Sequence, residues 1–205
     1  ASMTINPFAA CVMLDVVRRR GLRAFVQTAA AGALGCMVTR LAKRRGLKVV
    51  SVVRRGEQVQ ALEAFGAAVV FSEDAPDFDA RLTDACKRHD IRLAFDMVGG
   101  RLTTQVLRAL PTGGCVLSAG MLSREEFAVS PLDVVFAGKR IEGFYLDAML
   151  RSYTLPEVLR MTFSIQRRIC SDFSTKVRGR VPLRDFRQAI AEYEGSMSGG
   201  RILFA

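Results

Sequence analysis

The sequence holds a single histidine, His89, and none of its five cysteines, Cys11, Cys36, Cys86, Cys115 and Cys170, forms a C-x-x-C pair or a Cys/His cluster. A catalytic triad or a histidine-based metal site therefore has very little to build from, and no metal site is expected. An odd number of widely spaced thiols reads as reduced core cysteine in a cytosol-like compartment, so a cytoplasmic location is expected. His89 lies in "KRHD", the pattern of an exposed helix end. No apolar run reaches the length of a membrane span, and the opening "ASMTINP" is no signal peptide, so a soluble chain with no membrane partner is expected. Internal repeats, low-complexity tracts and long linkers are also missing.

Positive charge is plentiful, with a formal net charge of +10 over 205 residues, half of them hydrophobic. Such a balance invites a nucleic-acid reading. Position argues against it. "RRR" at 18–20 precedes Gly21 and "KRR" at 43–45 precedes Gly46, where helices end and cations meet the negative end of the dipole. Aromatic residues do not interleave with the basic ones as a stacking platform for single strands requires. No nucleic-acid partner is expected.

The stretch "FVQTAAAGALGCMVTRLAKRRG" (25–46) joins two periodicities. "RAFVQTA" is a short apolar, β-prone run that stops in small residues. After Gly32, residues Leu34, Met37, Val38, Leu41 and Ala42 recur at helical steps, with Thr39, Arg40, Lys43 and Arg44 on the other face. Two glycines thus mark a strand-to-helix turn. As a template, residues 30–35 read G-x-G-x-x-G with alanine, Ala30, in place of the first glycine. Such a turn lets a pyrophosphate approach the backbone at a helix N-terminus, and its last glycine permits close helix–strand packing. Simple packing of small residues explains the same stretch without a ligand.

Beyond the turn, elements alternate. Strands read at 47–53, 67–71, 91–100, 115–120 and 140–146, and helices at 57–66, 77–88 and 102–110. This alternation predicts an α/β fold, a doubly wound parallel sheet of the Rossmann type. Ligands of such sheets lie beyond the strand C-termini at the switch point, so Gly32, Arg54, Gly99 and Gly120 are expected to converge. Asn6 and Pro7 read as N-cap and first residue of a leading helix. At the back, a helix at 155–169 precedes a strand, a helix and a final strand that have no parallel partner in the alternating scheme. The expected division is residues 1–150 as the dinucleotide-binding domain and 151–205 as a completing helix plus strands left over from a catalytic lobe.

The end of the second strand discriminates between dinucleotides, since a carboxylate there bonds the ribose hydroxyls and repels a 2′-phosphate. This chain has Val53, Arg54 and Arg55 instead. Two guanidiniums suit a 2′-phosphate, and NADP(H) is the expected cofactor. A methyltransferase shares the glycine turn but normally carries an acid at this position.

The ordered set "INPFAACVML", "TAAAGALG", "SVVRR", "FDMVGG", "LPTGGCVLSAG", "IEGFYL" and "GGRILF" resembles the zinc-independent medium-chain dehydrogenase/reductases, the quinone oxidoreductases and trans-2-enoyl-thioester reductases, over nearly the whole chain. The resemblance implies that Gly32, Ala33, Leu34 and Gly35 cradle the pyrophosphate and that Arg54 and Arg55 hold the 2′-phosphate. It places Val98, Gly99, Gly120, Met121, Phe144, Tyr145 and Leu146 along the nicotinamide half. Two departures stand out: Ala9 where the family usually has threonine, and Cys11 where it has an aromatic. The family's N-terminal catalytic lobe would precede Ala1, so the 205 residues are expected to be a cofactor domain, excised or naturally short, that is inactive alone. No catalytic residue is named. The implied activity is NADPH-dependent hydride transfer to an activated C=C bond or a quinone, with a small-molecule substrate. A non-catalytic dinucleotide-binding or sensing module is the alternative. In the resembled family the sixth strand pairs with its twofold copy, and a homodimer through 140–146 is expected.

Overall fold

The computed structural model describes residues 5–195 and 200–204. A helix, α1 (Ile5–Arg19), leads into six parallel strands separated by helices. These are β1 (Ala24–Gln27), α2 (Ala33–Arg44), β2 (Lys48–Val53), α3 (Glu57–Ala64), β3 (Val69–Ser72), α4 (Phe78–Arg88), β4 (Leu93–Asp96), α5 (Gly100–Ala109), β5 (Cys115–Ser118) and β6 (Arg140–Gly143). The strand order is β3-β2-β1-β4-β5-β6 and every pairing is parallel. That is the doubly wound arrangement expected from the alternation, with its switch point between β1 and β4.

Alternation within the strands builds a core on each face. Phe25 of β1, Leu93 and Phe95 of β4, and Cys115 and Leu117 of β5 pack with Met13, Leu14, Met37 and Leu41 from α1 and α2. Their neighbours Val26, Ala94 and Val116 point the other way, into Leu82, Ile91, Val106 and Leu107 from the α4 and α5 side. Phe95 makes edge-on contacts with Phe25, 5.5 Å between ring centres, and with Phe144, 6.0 Å. The basic runs end helices as expected: Gly21 and Gly46, at φ 68° and 65°, adopt the left-handed conformation that closes α1 and α2.

The structure corrects several expectations. Asn6 lies inside the first turn of α1, which already includes Ile5, and so does not cap it. The sixth strand stops at Gly143. Phe144 turns into the core, Tyr145 is exposed, and Leu146 opens a short helix, α6 (Leu146–Leu150). Residues 132–136, assigned to no element from the sequence, form a π-helical turn. Next, α7 (Leu155–Arg167) starts where Glu157 accepts hydrogen bonds from both the N–H and the hydroxyl of Thr154. The last two strands, as expected, take no part in the main sheet; they pair in parallel with each other. β7 (Val177–Val181) pairs with β8 (Arg201–Phe204) in a separate two-stranded sheet, with α8 (Phe186–Gly195) between them in sequence.

Candidate functional site

A cleft of about 920 Å3 opens beyond the strand C-termini. Gly32, Arg54, Arg55, Val98 and Gly99 all line it, so the ends of three strands, β1, β2 and β4, meet there. Ala33, Leu34 and Gly35 form the first turn of α2 behind Gly32. Gly120 is not in the lining. It lies against Met97, whose carbonyl oxygen would be 2.6 Å from a Cβ at this position. Leu122, Ser123 and Glu125 reach the cleft instead. Met121 is largely exposed, Phe144 is buried against Phe95, and Tyr145 and Leu146 flank the start of α6.

The turn after β1 differs from the G-x-G-x-x-G template. The left-handed residue is Ala29, at φ 49°, not Ala30. Gly32 has φ −73° and ψ 168°, ordinary extended backbone, and is the N-cap of α2. No side chain caps that helix, so the N–H groups of its first turn face the cleft mouth without a capping partner. Gly35 has a different job. A Cβ there would sit 2.4 Å from the Ala30 carbonyl oxygen, so glycine is what lets α2 press against the chain leaving β1. Beneath the turn, buried Gln27 donates through Nε2 to the Gly35 carbonyl, Thr39 and Ser51, at 3.3, 2.8 and 3.2 Å.

At the end of β2, the backbone N–H groups of Arg54 and Arg55 both donate to Gln58 Oε1 at 3.1 Å, which fixes the bend that presents the two guanidiniums. The sequence does lack a carboxylate here, but the fold brings one from the next strand. Glu73, immediately after β3, also lines the cleft. Burial pushes its carboxyl above the ordinary glutamate value, against the opposing pull of Arg54 and Arg101. Arg101 and Gln105 of α5 complete that wall, with Gln105 bonded to Asp79 at 2.8 Å.

Asp96, at the end of β4, is fully buried and ties the cleft floor together. Its Oδ1 accepts from the Thr28 hydroxyl at 2.7 Å and the Val98 N–H at 3.0 Å. Its Oδ2 accepts from the Gly99 N–H at 3.2 Å and the Thr103 hydroxyl at 2.5 Å. Thr28 accepts in turn from the Met97 N–H at 2.8 Å. One carboxylate thus joins the loop after β1 to the loop after β4. Sequence reasoning passed over Asp96, Glu73, Gln58, Arg101 and Ser123. The signal available for the first two was their place at a strand's C-terminal end, the edge where such sheets bind ligands.

Among the described residues, no group of three or more His, Cys, Asp or Glu side chains is placed to hold a metal ion. All five cysteines are free thiols. Among the described residues, no helix is long and apolar enough to cross a membrane.

The family described as zinc-binding dehydrogenase matches residues 33–164. A mitochondrial enoyl-[acyl-carrier-protein] reductase of Dictyostelium discoideum is 30% identical over 162 residues, covering 75% of this chain and 45% of the relative. A solved Mesorhizobium loti protein of the NADPH:quinone reductase type is 32% identical with a TM-score of 0.87, covering 98% of this chain and 58% of that one. CurA of Vibrio vulnificus, solved with NADPH, superposes with a TM-score of 0.75 at 20% identity, covering 98% of this chain and 62% of that one; at that identity the likeness is one of fold. The chain spans about half the length of the relatives it matches.

Proposed function

The chain belongs to the zinc-binding dehydrogenase family of the medium-chain dehydrogenase/reductases, and from that premise we propose that it is the NADPH-binding part of an oxidoreductase. The acceptor would be the activated C=C bond of an enoyl thioester or a quinone, the chemistry that the relatives' names carry. One observation supports the reading above the others: the uncapped start of α2 and the paired arginines at the end of β2 open onto the same cleft.

The residues present fit a dinucleotide. Unpaired N–H groups and the positive end of the α2 dipole suit a pyrophosphate, and Gly32 keeps its approach clear of side chain. Arg54 and Arg55 can clamp a 2′-phosphate with charge-assisted bonds. Val98 and Gly99, held by Asp96, form the floor on the nicotinamide side, and the resemblance alone assigns Gly120, Met121 and residues 144–146 to that half. When bound, the cofactor supplies the hydride, and the protein's share is to bind and orient it. Among the described residues, no acid/base pair is assembled in the cleft. The proposal gives most substrate contacts to a lobe formed largely by residues outside these 205, to which β7, α8 and β8 also belong. It also makes the enzyme zinc-independent, and it makes the chain a dimer through β6. Free thiols fit a reducing compartment, the cytosol or the mitochondrion that the relatives' names specify.

Calorimetry tests the reading. NADPH is expected to bind more tightly than NADH, and replacing both arginines, Arg54→Gln with Arg55→Gln, should remove roughly 1.5–3 kcal/mol of that binding. Equal affinities for the two nucleotides would overturn the assignment. Robust turnover of a crotonyl thioester or a quinone by these 205 residues alone would overturn the division of labour.

A further inference from the structure

We propose a second ligand site, remote from the nucleotide cleft, that binds a phosphate group, either free or carried on a small organic molecule. A cavity of about 200 Å3 lies between the C-terminal half of α1, the end of α2 and α7. It is separate from the cleft: α2 begins at the cleft mouth and runs 12 residues, about 18 Å, before Arg45 follows it into this cavity. Four guanidiniums converge there, those of Arg18, Arg19, Arg45 and Arg160, against two carboxylates, Asp15 and Glu157.

Both carboxylates are already engaged. Asp15 accepts from Arg18 at 2.9 Å, Arg19 at 2.7 Å and the Tyr153 hydroxyl at 2.7 Å. Glu157 caps α7 through Thr154 and reaches Arg19 at 3.5 Å. Arg19 is further fixed by stacking over the Tyr153 ring, 4.4 Å from its centre. Among the described residues, Arg45 and Arg160 have neither an ion pair nor a side-chain hydrogen bond. Both side chains are exposed, so each is free to turn onto an anion in the cavity, and a dianion balances the lining's surplus of two positive charges. Guanidinium forks match phosphate oxygens, which an isolated carboxylate satisfies less fully. Cys11 lines the same cavity. Burial pushes its thiol up to about 11 despite the pull of Arg45 and Arg168, so it stays neutral and does not compete for the cations. Met161 adds an apolar wall, suited to a short organic tail.

The inference stands apart from the nucleotide reading, and the test keeps them distinguishable. With NADPH saturating the cleft, the chain is titrated calorimetrically with inorganic phosphate and with glycerol 3-phosphate at constant ionic strength. Two double variants are run beside it: Arg45→Gln with Arg160→Gln, and Arg54→Gln with Arg55→Gln. Expected is binding by the native chain that weakens about tenfold or more in the first variant and is unchanged in the second. Tighter binding of glycerol 3-phosphate identifies an organic phosphate as the ligand, and equal binding identifies the free ion. No heat at millimolar phosphate, or binding lost only when Arg54 and Arg55 are replaced, would overturn the site.

Discussion

Ala29 adopts φ 49° at the point where the chain leaves β1, a conformation that an L-residue other than glycine enters against steric cost. Nothing in the string "TAAAG" marks it, because alanine carries no sign of strain. Ala29→Gly removes about 1–2 kcal/mol of left-handed penalty and gives back part of it as unfolded-chain entropy. A net gain of about 0.5–1 kcal/mol is expected, read as a higher denaturation midpoint at unchanged slope. The two glycines that follow separate fold from binding. Gly32 has backbone angles open to any residue, and a Cβ there, 3.2 Å from the Ala29 carbonyl oxygen, asks the turn to give by only a few tenths of an ångström. Gly32→Val should therefore keep the native circular dichroism while abolishing nucleotide binding, since the branched side chain stands where a pyrophosphate would approach. Gly35→Ala should do the reverse of keeping the fold: at 2.4 Å from backbone, its methyl forces α2 off the sheet, at a cost of about 1–3 kcal/mol. An unfolded Gly32→Val, or one that binds normally, would remove the phosphate-turn reading.

Among the elements, the loops after β1 and β4 are held as one unit by Asp96 rather than by packing. Its four donors include two backbone N–H groups, so an amide at this position would turn an N–H toward another N–H or a hydroxyl. Asp96→Asn is expected to cost about 1–3 kcal/mol of stability, and to weaken nucleotide binding at temperatures where the variant remains folded. Thr103→Val, which removes a single donor, should do both to a lesser degree; a folded Asp96→Asn with native affinity would show that the loops hold themselves. Strands β1, β2, β4 and β5 were legible because each is a short run buried on both faces, and so were the glycine turn and the arginines at the end of β2. The end of β6 was not: in sequence, Phe144 reads the same whether it extends an edge strand or closes on Phe95. Nor was the parallel pairing of β7 with β8, set by partners on either side of α8. Glu73 was passed over because a charge just beyond a strand looks like a solvated loop until the sheet order shows which loops face one another, and Arg101 because it reads as the exposed face of α5.

At the scale of the whole molecule, the exposed apolar surface near β6 bears on the proposed dimer. β6 ends the sheet, and among the described residues no strand covers its outer edge. The downstream helix α7 packs on α1. Next to that edge stands the π-helical turn at 132–136, where Val135 is 69% and Phe136 79% exposed, with Leu132 and Val134 beside them. The turn is not loose. Lys139, buried, ties it to the body by bonds of 2.9 Å to Asp133 and to the Arg108 carbonyl. A rigid apolar ridge alongside an open strand edge suits a self-complementary twofold contact, in which β6 pairs with its copy and the two ridges cover each other. Phe144 cannot report on this contact, because it is a core residue and its replacement would unfold the protein. Val135→Glu with Phe136→Glu is the informative variant: both side chains face solvent in the single chain, so stability should change little while the contact gains buried charge. Sedimentation at micromolar concentration is expected to give a dimer for the native chain and a monomer for the variant. A native chain that sediments as a monomer, or a variant that remains dimeric, would place the self-contact elsewhere on the molecule.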